Sequence, residues 1–222
     1  MRTLILAAGA MNRWKNHTGV PKHLVDVDGE PLLHRTVRQF SAFSDVAIVA
    51  RDGRPGYDLP GVFTEYVTPD PDMMQADRFV SSRHMWTDDT MILAFGDVWF
   101  SDRCIRKIQQ AAESDEWAWV ARIQPNRYSG CTHGEGFAFV VQPQHHQGFW
   151  EAVDLAVALR RRVKIRETVP RGWAVWELFE GALPKLPKER VPRPHYVEVH
   201  DWTDDFDHPK DYDRWVARRR RR

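Results

Sequence analysis

The stretch TLILAAG, residues 3 to 9, joins a continuous apolar run to a glycine. Such a run predicts a buried parallel strand that gives way to a loop at Gly9. A second apolar run, residues 46 to 50, follows a segment, residues 32 to 43, whose apolar side chains recur at helical spacing. Together these segments predict one β-α-β unit.

The alternation of strand-like and helix-like segments continues along the chain. It predicts further strands at residues 62–67, 91–95, 117–123, 137–141 and 196–199, and helices at residues 76–86 and 102–114, near residues 145–161 and from Pro209. This order favours an α/β fold with a doubly wound, mostly parallel sheet and helices on both faces. Prolines make residues 182–194 irregular, and we expect a substrate-facing loop there.

Length and composition limit the class of protein. A chain of 222 residues with 42% hydrophobic content can bury one sizeable core, so we expect one domain, residues 1–217, and a basic, disordered tail, residues 218–222. Cys104 and Cys131 are too few for a disulfide framework and are expected to be packing residues in a reducing compartment. No apolar run suits a signal peptide or a membrane span, so we expect a cytoplasmic protein.

The charge distribution disfavours a general nucleic-acid-binding domain. The formal net charge is +1, but five of the positive charges belong to residues 218–222, which leaves −4 for the rest of the chain. Nucleic-acid-binding domains are normally basic over the folded body. The terminal arginines leave contact with a polyanion open, although such a run is more typical of a solvated end.

Three short segments carry the chemistry of the first third: LAAGAMNR (residues 6–13), VPKHL (20–24) and GEPLL (29–33). Neither the P-loop motif nor GxGxxG occurs in the chain. Small residues after a strand allow backbone amides to approach a base or phosphates closely. Arg13 and Lys22 add positive charge that can neutralise a triphosphate.

Carboxylates that suit a magnesium ion occur at two other places. Asp97 directly follows the strand predicted at residues 91–95, and Asp207 belongs to the segment DFDHPKDY, residues 205–212. Magnesium sites of this kind use one or two carboxylates together with phosphate oxygens.

These segments, in this order, resemble the signature of the nucleotidyltransferase superfamily with a GT-A-like, Rossmann-like fold. That group includes molybdenum-cofactor guanylyltransferases and enzymes that activate sugar phosphates or phosphocholine. The resemblance covers the first third of the chain and returns at residues 96–97 and 205–212. It implies a Mg²⁺-dependent enzyme that moves a nucleoside monophosphate from a nucleoside triphosphate to a sugar 1-phosphate or similar phosphomonoester and releases pyrophosphate.

The same resemblance implies roles for individual residues. Arg13, Lys22 and Asp97 would be catalytic, and Asp97 and Asp207 would bind Mg²⁺, with Asp205 as the alternative to Asp207. The residues that would bind the nucleotide are Leu6, Ala7, Ala8, Gly9, Ala10, Arg13, Lys22 and Ser81, with Ser82 as the alternative to Ser81.

The acceptor is expected to meet the later part of the chain. Residues 135–137 and 173–177 are the candidate walls, because aromatic faces and carboxylates suit a sugar or a quaternary ammonium group, although core packing accounts for the tryptophans equally well. The histidines, among them His133, His145 and His195, lack the spacing of a metal cluster and are expected on the surface. The basic residues 160–166 suit an anionic acceptor as well, but we expect them to form a solvated helix end.

Two other functions stay open. A GT-A-type glycosyltransferase shares the fold, but it usually carries an Asp-x-Asp motif, and Gly96-Asp97-Val98-Trp99 holds one acid only. An inactive nucleotide-binding module is favoured only by Met11, which stands where many relatives have a second glycine. That departure also leaves the path of the loop and the choice of base open.

Overall fold

A computed structural model describes residues 1–9, 11–68, 76–163, 171–185 and 190–220. In chain order the strands are β1 (Arg2–Ala7), β2 (Asp26–Val27), β3 (Glu30–Pro31), β4 (Asp45–Arg51), β5 (Phe63–Val67), β6 (Met91–Phe95), β7 (Val98–Trp99), β8 (Ala118–Arg122), β9 (Glu135–Val141), β10 (Tyr196–Glu198) and β11 (Asp204–Asp205). The helices are α1 (Leu32–Ser41), α2 (Ala76–Ser82), α3 (Asp102–Ala112), α4 (His146–Val163), α5 (Arg171–Phe179) and α6 (Pro209–Arg219).

Seven of the strands form one sheet in the order β10-β8-β9-β6-β1-β4-β5. All neighbours are parallel except β9, which runs antiparallel to both β6 and β8. The central strand β1 is buried from Thr3 onward, as expected for a parallel strand that is covered on both faces. The predicted α/β fold with a mostly parallel sheet is confirmed.

Helices cover both faces of the sheet, as predicted. On one face α1 and α3 pack against the strands through residues such as Phe40 and Ile108. On the other face α2, α4 and α5 do so through Phe79, Phe149 and Trp176. Each strand therefore buries alternate side chains in two separate layers of the core.

A third hydrophobic cluster holds the segment after β1 against the C-terminal helix. It includes Trp14, Trp99, Phe206 and Trp215, all of them buried. The indole of Trp14 also donates to the carbonyl of Val20 at 2.9 Å. This cluster fixes the loop between β1 and β2 through contacts with residues far away in the sequence.

The C-terminal arginines begin inside a helix rather than in a disordered tail. Helix α6 continues through Arg219, so the boundary expected at residues 217 and 218 falls within it. Arg218 donates to the carbonyls of Arg127 and Tyr128, and Arg219 bonds to Asp28 at 2.8 Å. The expectation of disorder is therefore wrong for Arg218 and Arg219, and residues 221–222 lie outside the described residues.

The described helices include none that is both long and apolar enough to cross a membrane.

Candidate active site

The carboxyl ends of β1 and β6 lie side by side at one edge of the sheet. The strands pair in parallel with Leu6 opposite Phe95, and the amide of Gly96 donates to the Leu6 carbonyl at 3.1 Å. A Cβ on Gly96 would lie 3.0 Å from the Cβ of Ala7, so the close approach of the two strand ends favours glycine. Asp97, the residue after Gly96, consequently lies beside the end of β1.

A short ladder between β7 and β11 brings the C-terminal acidic segment to the same place. Asp205 pairs antiparallel with Val98, and the amide of Phe206 donates to the Asp97 carbonyl at 2.9 Å. Asp207 therefore stands close to Asp97, although the two aspartates are far apart in the sequence.

Lys22 lies between these two aspartates. Its Nζ donates to Oδ2 of Asp97 and, at 3.0 Å, to Oδ1 of Asp207. Lys22 and Asp97 are both buried, at 3% and 6% exposure. A buried ammonium group requires negatively charged or hydrogen-bonding partners, and the two carboxylates supply them.

Arg13 approaches the site from its open side. Its Nη2 donates to Oδ2 of Asp207 at 2.5 Å, while 55% of the Arg13 side chain is exposed. The structure thus brings together all four charged residues predicted for catalysis and metal binding: Arg13, Lys22, Asp97 and Asp207.

The charges around Asp207 and Asp205 act in opposite directions. Burial alone would raise the pKa of Asp207, but the nearby charges of Lys22 and Arg13 outweigh it and hold that pKa below its ordinary value. Burial raises the pKa of Asp205 well above its ordinary value, and the charges of Glu135 and Asp207 add to the effect. Asp207 is thus the carboxylate kept ionised by its surroundings.

The carboxylates of Asp97 and Asp207 fit a divalent cation. Both reach the same Nζ of Lys22, so their oxygens converge on one point at which a positive charge already sits. Two hard oxygen donors at one point are the protein ligands that Mg²⁺ takes beside phosphates. This geometry favours Asp207 over Asp205 as the partner of Asp97.

The end of β1 and the residues that follow it occupy the position expected for a nucleotide-binding loop. Leu6, Ala7 and Ala8 are fully buried, and the carbonyl of Gly9 accepts a hydrogen bond from Nη1 of Arg54 at 2.6 Å. Ala10 lies outside the described residues. The contacts of this loop with a nucleotide stay a prediction.

Met11 adopts the backbone conformation that a glycine would favour. Its φ is 53°, in the left-handed region, at the position where the resemblance leads one to expect glycine. Lys15, Asn16 and Thr18 follow with φ between 50° and 63°. Met11 therefore holds, at a cost in strain, a left-handed backbone that glycine adopts freely.

The two candidate serines of α2 differ in their surroundings. Ser82 is fully buried, and its hydroxyl donates to the carbonyl of Phe79 at 2.9 Å, a contact within the helix. Ser81 is half-buried on the same helix. Ser81 is therefore the better candidate of the two for a ligand contact, and that contact stays a prediction.

Sequence reasoning missed two groups beside the site. Arg54 reaches the Gly9 carbonyl, and the buried Tyr57 shares a hydrogen bond of 2.7 Å with Nδ1 of His23, the residue after Lys22. Burial raises the pKa of Tyr57 to about 12. Isolated residues on an irregular segment carry no periodic signal, so only the folded chain could reveal these contacts.

Cys131, His133 and Glu135 form a cluster that the spacing argument did not predict. One potential ligand atom from each lies within 4.8 Å of the others. Nε2 of His133 lies 2.6 Å from Oε1 of Glu135, and its Nδ1 lies 3.7 Å from Sγ of Cys131. Both ring nitrogens thus already have partners within the cluster. Hydrogen bonds to Cys131 and Glu135 raise the pKa of His133, while burial raises that of Glu135 to about 7.

The expected aromatic walls for the acceptor are largely core. Phe137 and Trp176 are fully buried, and Trp173 is 2% exposed. Core packing, the alternative interpretation, therefore accounts for Phe137 and Trp176. Glu177 is also buried and accepts a hydrogen bond from the amide of Lys185 at 2.9 Å. Glu135 remains partly accessible at the start of β9.

The sheet order and the charged site at the ends of β1 and β6 define an α/β nucleotidyltransferase fold. The family model of the MobA-like NTP transferase domain matches residues 3–160, and the chain belongs to that family. A comparison with curated proteins finds no match.

Solved structures agree with this assignment of the fold. The chain is similar to the inositol-1-phosphate CTP transferase from T. maritima, with a TM-score of 0.61, 15% identity and coverage of 98% of this chain and 96% of that one. It is similar to the CTP:phosphocholine cytidylyltransferase from Streptococcus pneumoniae, with a TM-score of 0.61, 14% identity and coverage of 100% and 99%. It is also similar to the UDP-glucose pyrophosphorylase from Acinetobacter baumanii, with a TM-score of 0.62 and 12% identity. That match covers 97% of this chain and 91% of the other.

Proposed function

We propose that this protein transfers a nucleoside monophosphate from a nucleoside triphosphate to a phosphorylated small molecule, a sugar 1-phosphate or a similar phosphomonoester, and releases pyrophosphate. The observation that carries the proposal is the meeting of Lys22 with Asp97 and Asp207 at the carboxyl ends of β1 and β6. In open α/β sheets this edge is where ligands bind.

The cationic and anionic residues of the site would have different roles. Lys22 and Arg13 would bind phosphate oxygens of the triphosphate. They could do so once the carboxylates of Asp97 and Asp207 are neutralised by Mg²⁺ in place of the two side chains. Asp97 and Asp207 would hold Mg²⁺, which supplies further positive charge where negative charge builds up during transfer. Ala8 and Gly9 would admit the nucleotide to the loop after β1.

The acceptor needs little chemical help in such a reaction. A phosphomonoester is already ionised near neutral pH, so its oxygen can attack the α-phosphorus without a general base. Catalysis then consists of aligning the two phosphates and stabilising charge. The side chains of the site are suited to this task because they are charged and fixed by one another.

The small molecules proposed as partners belong to the same scheme. We propose a nucleoside triphosphate, Mg²⁺ and a phosphorylated acceptor as the ligands, and the cytoplasm as the compartment. Cys104 and Cys131 are both free and buried, which suits a reducing environment.

The test is pyrophosphate release with Mg²⁺ from each of the four ribonucleoside triphosphates, combined with a panel of phosphomonoesters. Asp97→Asn is expected to lower turnover about a hundred- to a thousand-fold, the range seen when one transition-state contact is lost. Asp213→Asn is the matched control, because Asp213 is an exposed aspartate of α6 that pairs with His17. Near-normal activity of Asp97→Asn would contradict the site.

A glycosyltransferase would give a different result in the same assay. Turnover of a nucleotide sugar without pyrophosphate release from any triphosphate would replace the proposal by that function. Binding of a triphosphate without turnover of any acceptor would favour an inactive nucleotide-binding module.

A further inference from the structure

Arg190 is a buried arginine beside Trp173, which belongs to one of the two segments expected to face the acceptor. It retains 7% exposure, and its guanidinium carbon lies 4.5 Å from the ring centroid of Trp173. Trp173 itself is buried beside Trp119, with 5.5 Å between the two ring centroids. The guanidinium is therefore held against a fixed aromatic surface.

The hydrogen-bonding capacity of Arg190 is largely unused. Its Nε and Nη2 are buried, and among the described residues neither has a hydrogen-bond partner. An arginine side chain carries five N–H donors, and a buried charge is normally paired. Glu177 and Glu135 are near enough to influence the Arg190 charge, yet burial dominates and lowers the pKa of Arg190.

Other arginines of the described chain differ in this respect. Arg2 and Arg35 also have a buried Nε without a partner, but each forms an ion pair with an aspartate or a glutamate. Arg122 is as buried as Arg190 and bonds to Asp204 at 2.9 Å. Arg190 thus combines burial with unsatisfied donors and, among the described residues, no ion pair.

Arg190 also lies towards the proposed active site. The charge of Glu135 acts both on Arg190 and on Asp207. The residue before Trp173, Gly172, lies against the ring of Phe95, so that a Cβ there would be 3.4 Å from it. Phe95 is the last residue of β6, two positions before Asp97. The aromatic packing around Trp173 therefore extends through Trp119 to the end of β6, the strand that leads to Asp97.

We propose that Arg190, supported by Trp173, binds the phosphate group of the acceptor. This rests on the proposed function, which requires an acceptor phosphate on this side of the site. A planar guanidinium bonds two phosphate oxygens at once, and a dianion would satisfy both buried donors and neutralise a charge that forms no ion pair among the described residues. Glu135 and Glu177, being negative, would keep a second anion away.

The experiment uses inorganic phosphate as the probe, titrated into the full-length protein and followed by isothermal calorimetry. We expect Arg190→Gln to weaken phosphate binding at least about ten-fold, the loss that corresponds to one charge-assisted hydrogen bond. Arg193→Gln is the matched control, because Arg193 lies over Trp176 at a longer distance of 6.0 Å and is only half-buried. Lys22→Met should bind inorganic phosphate as tightly as the unmodified protein does. That result would show that the phosphate site at Arg190 is distinct from the triphosphate site at Lys22.

Equal phosphate affinity in Arg190→Gln and the unmodified protein would overturn the proposal. If Arg190→Gln does not fold, Arg190→Lys decides the matter: it keeps the charge but loses the two-point contact, so unchanged affinity in that variant overturns the proposal as well. In turnover assays Arg190→Gln should raise the KM for the acceptor about ten-fold and leave that for the triphosphate unchanged. Phosphate binding that depends on Arg190, without pyrophosphate release from any triphosphate, would support this site and reject the proposed function.

Discussion

The two sides of the site treat buried positive charge in opposite ways. On the nucleotide side, Lys22 is buried between Asp97 and Asp207 and bonds to both. On the proposed acceptor side, Arg190 is buried to a similar degree, but two of its donors have no partner among the residues that the structure describes. The first charge is compensated by groups of the protein itself, whereas the second is a cost that a ligand can remove. The difference separates residues that the fold needs from those that only a ligand explains.

Lys22→Met should produce the largest change. It removes the ammonium group between the carboxylates of Asp97 and Asp207, although Arg13 still pairs with Asp207. Breaking a buried ion pair costs about 3 kcal/mol of unfolding free energy. Chemical denaturation measures the loss, with Lys15→Met, an exposed lysine of the same loop, as the control. Millimolar Mg²⁺ should restore more stability to Lys22→Met than it adds to the unmodified protein. An unchanged denaturation midpoint would mean that Lys22 is not held as described.

Arg190→Met should act in the opposite direction. The methionine side chain keeps apolar contact with Trp173 and removes a buried charge that has no ion pair in the described part of the chain. The unfolding free energy should therefore stay equal or rise by up to about 1 kcal/mol. Thermal and chemical denaturation without phosphate test this. A loss of unfolding free energy comparable to that of Lys22→Met would show that Arg190 has a partner in the folded protein. Lys22 and Arg190 would then not differ in the way described.

The cluster of Cys131, His133 and Glu135 lies between these two cases, because its charges are paired and titratable. The pKa of His133 is raised from 6.5 to about 10. The protonated imidazole therefore stabilises the folded protein fully below about pH 6.5, and this contribution is lost as the pH rises through about 10. His133→Gln should therefore lower Tm most at mildly acidic pH, and the difference should shrink towards pH 10. A difference that grows with pH would show that the imidazole is neutral in the folded state.

The smallest effect is expected at the C-terminus. Removal of residues 218–222 eliminates the contacts of Arg218 and Arg219, which are largely surface contacts, and should cost about 1 kcal/mol. Removal of residues 221–222 alone is the control, since it leaves both arginines in place. Equal stability of the two truncated proteins would show that Arg218 and Arg219 do not stabilise the fold, as expected of a disordered tail at residues 218–222.

Much of the fold could be predicted because it depends on local patterns. The apolar run of β1 and the spacing of Leu33, Val37 and Phe40 in α1 follow from which faces must be buried, and both are buried in the structure. The short ladders β2-β3 and β7-β11 were not predicted, since two-residue strands carry no period. The position of α6 against Trp14 was missed for a related reason: periodicity indicates which face of a helix packs but not what it packs against.

The sequence by itself determined the class of fold, the family resemblance and the identity of the charged residues at the strand ends, because strand and helix periods and short motifs are local properties. Only the tertiary structure decided that Lys22 is shared by Asp97 and Asp207, that Met11 adopts a left-handed backbone and that two buried donors of Arg190 have no partner among the described residues. Those facts depend on which distant segments meet and how much water remains between them. Such contacts are set by the packing of the whole core and not by any single stretch of the chain.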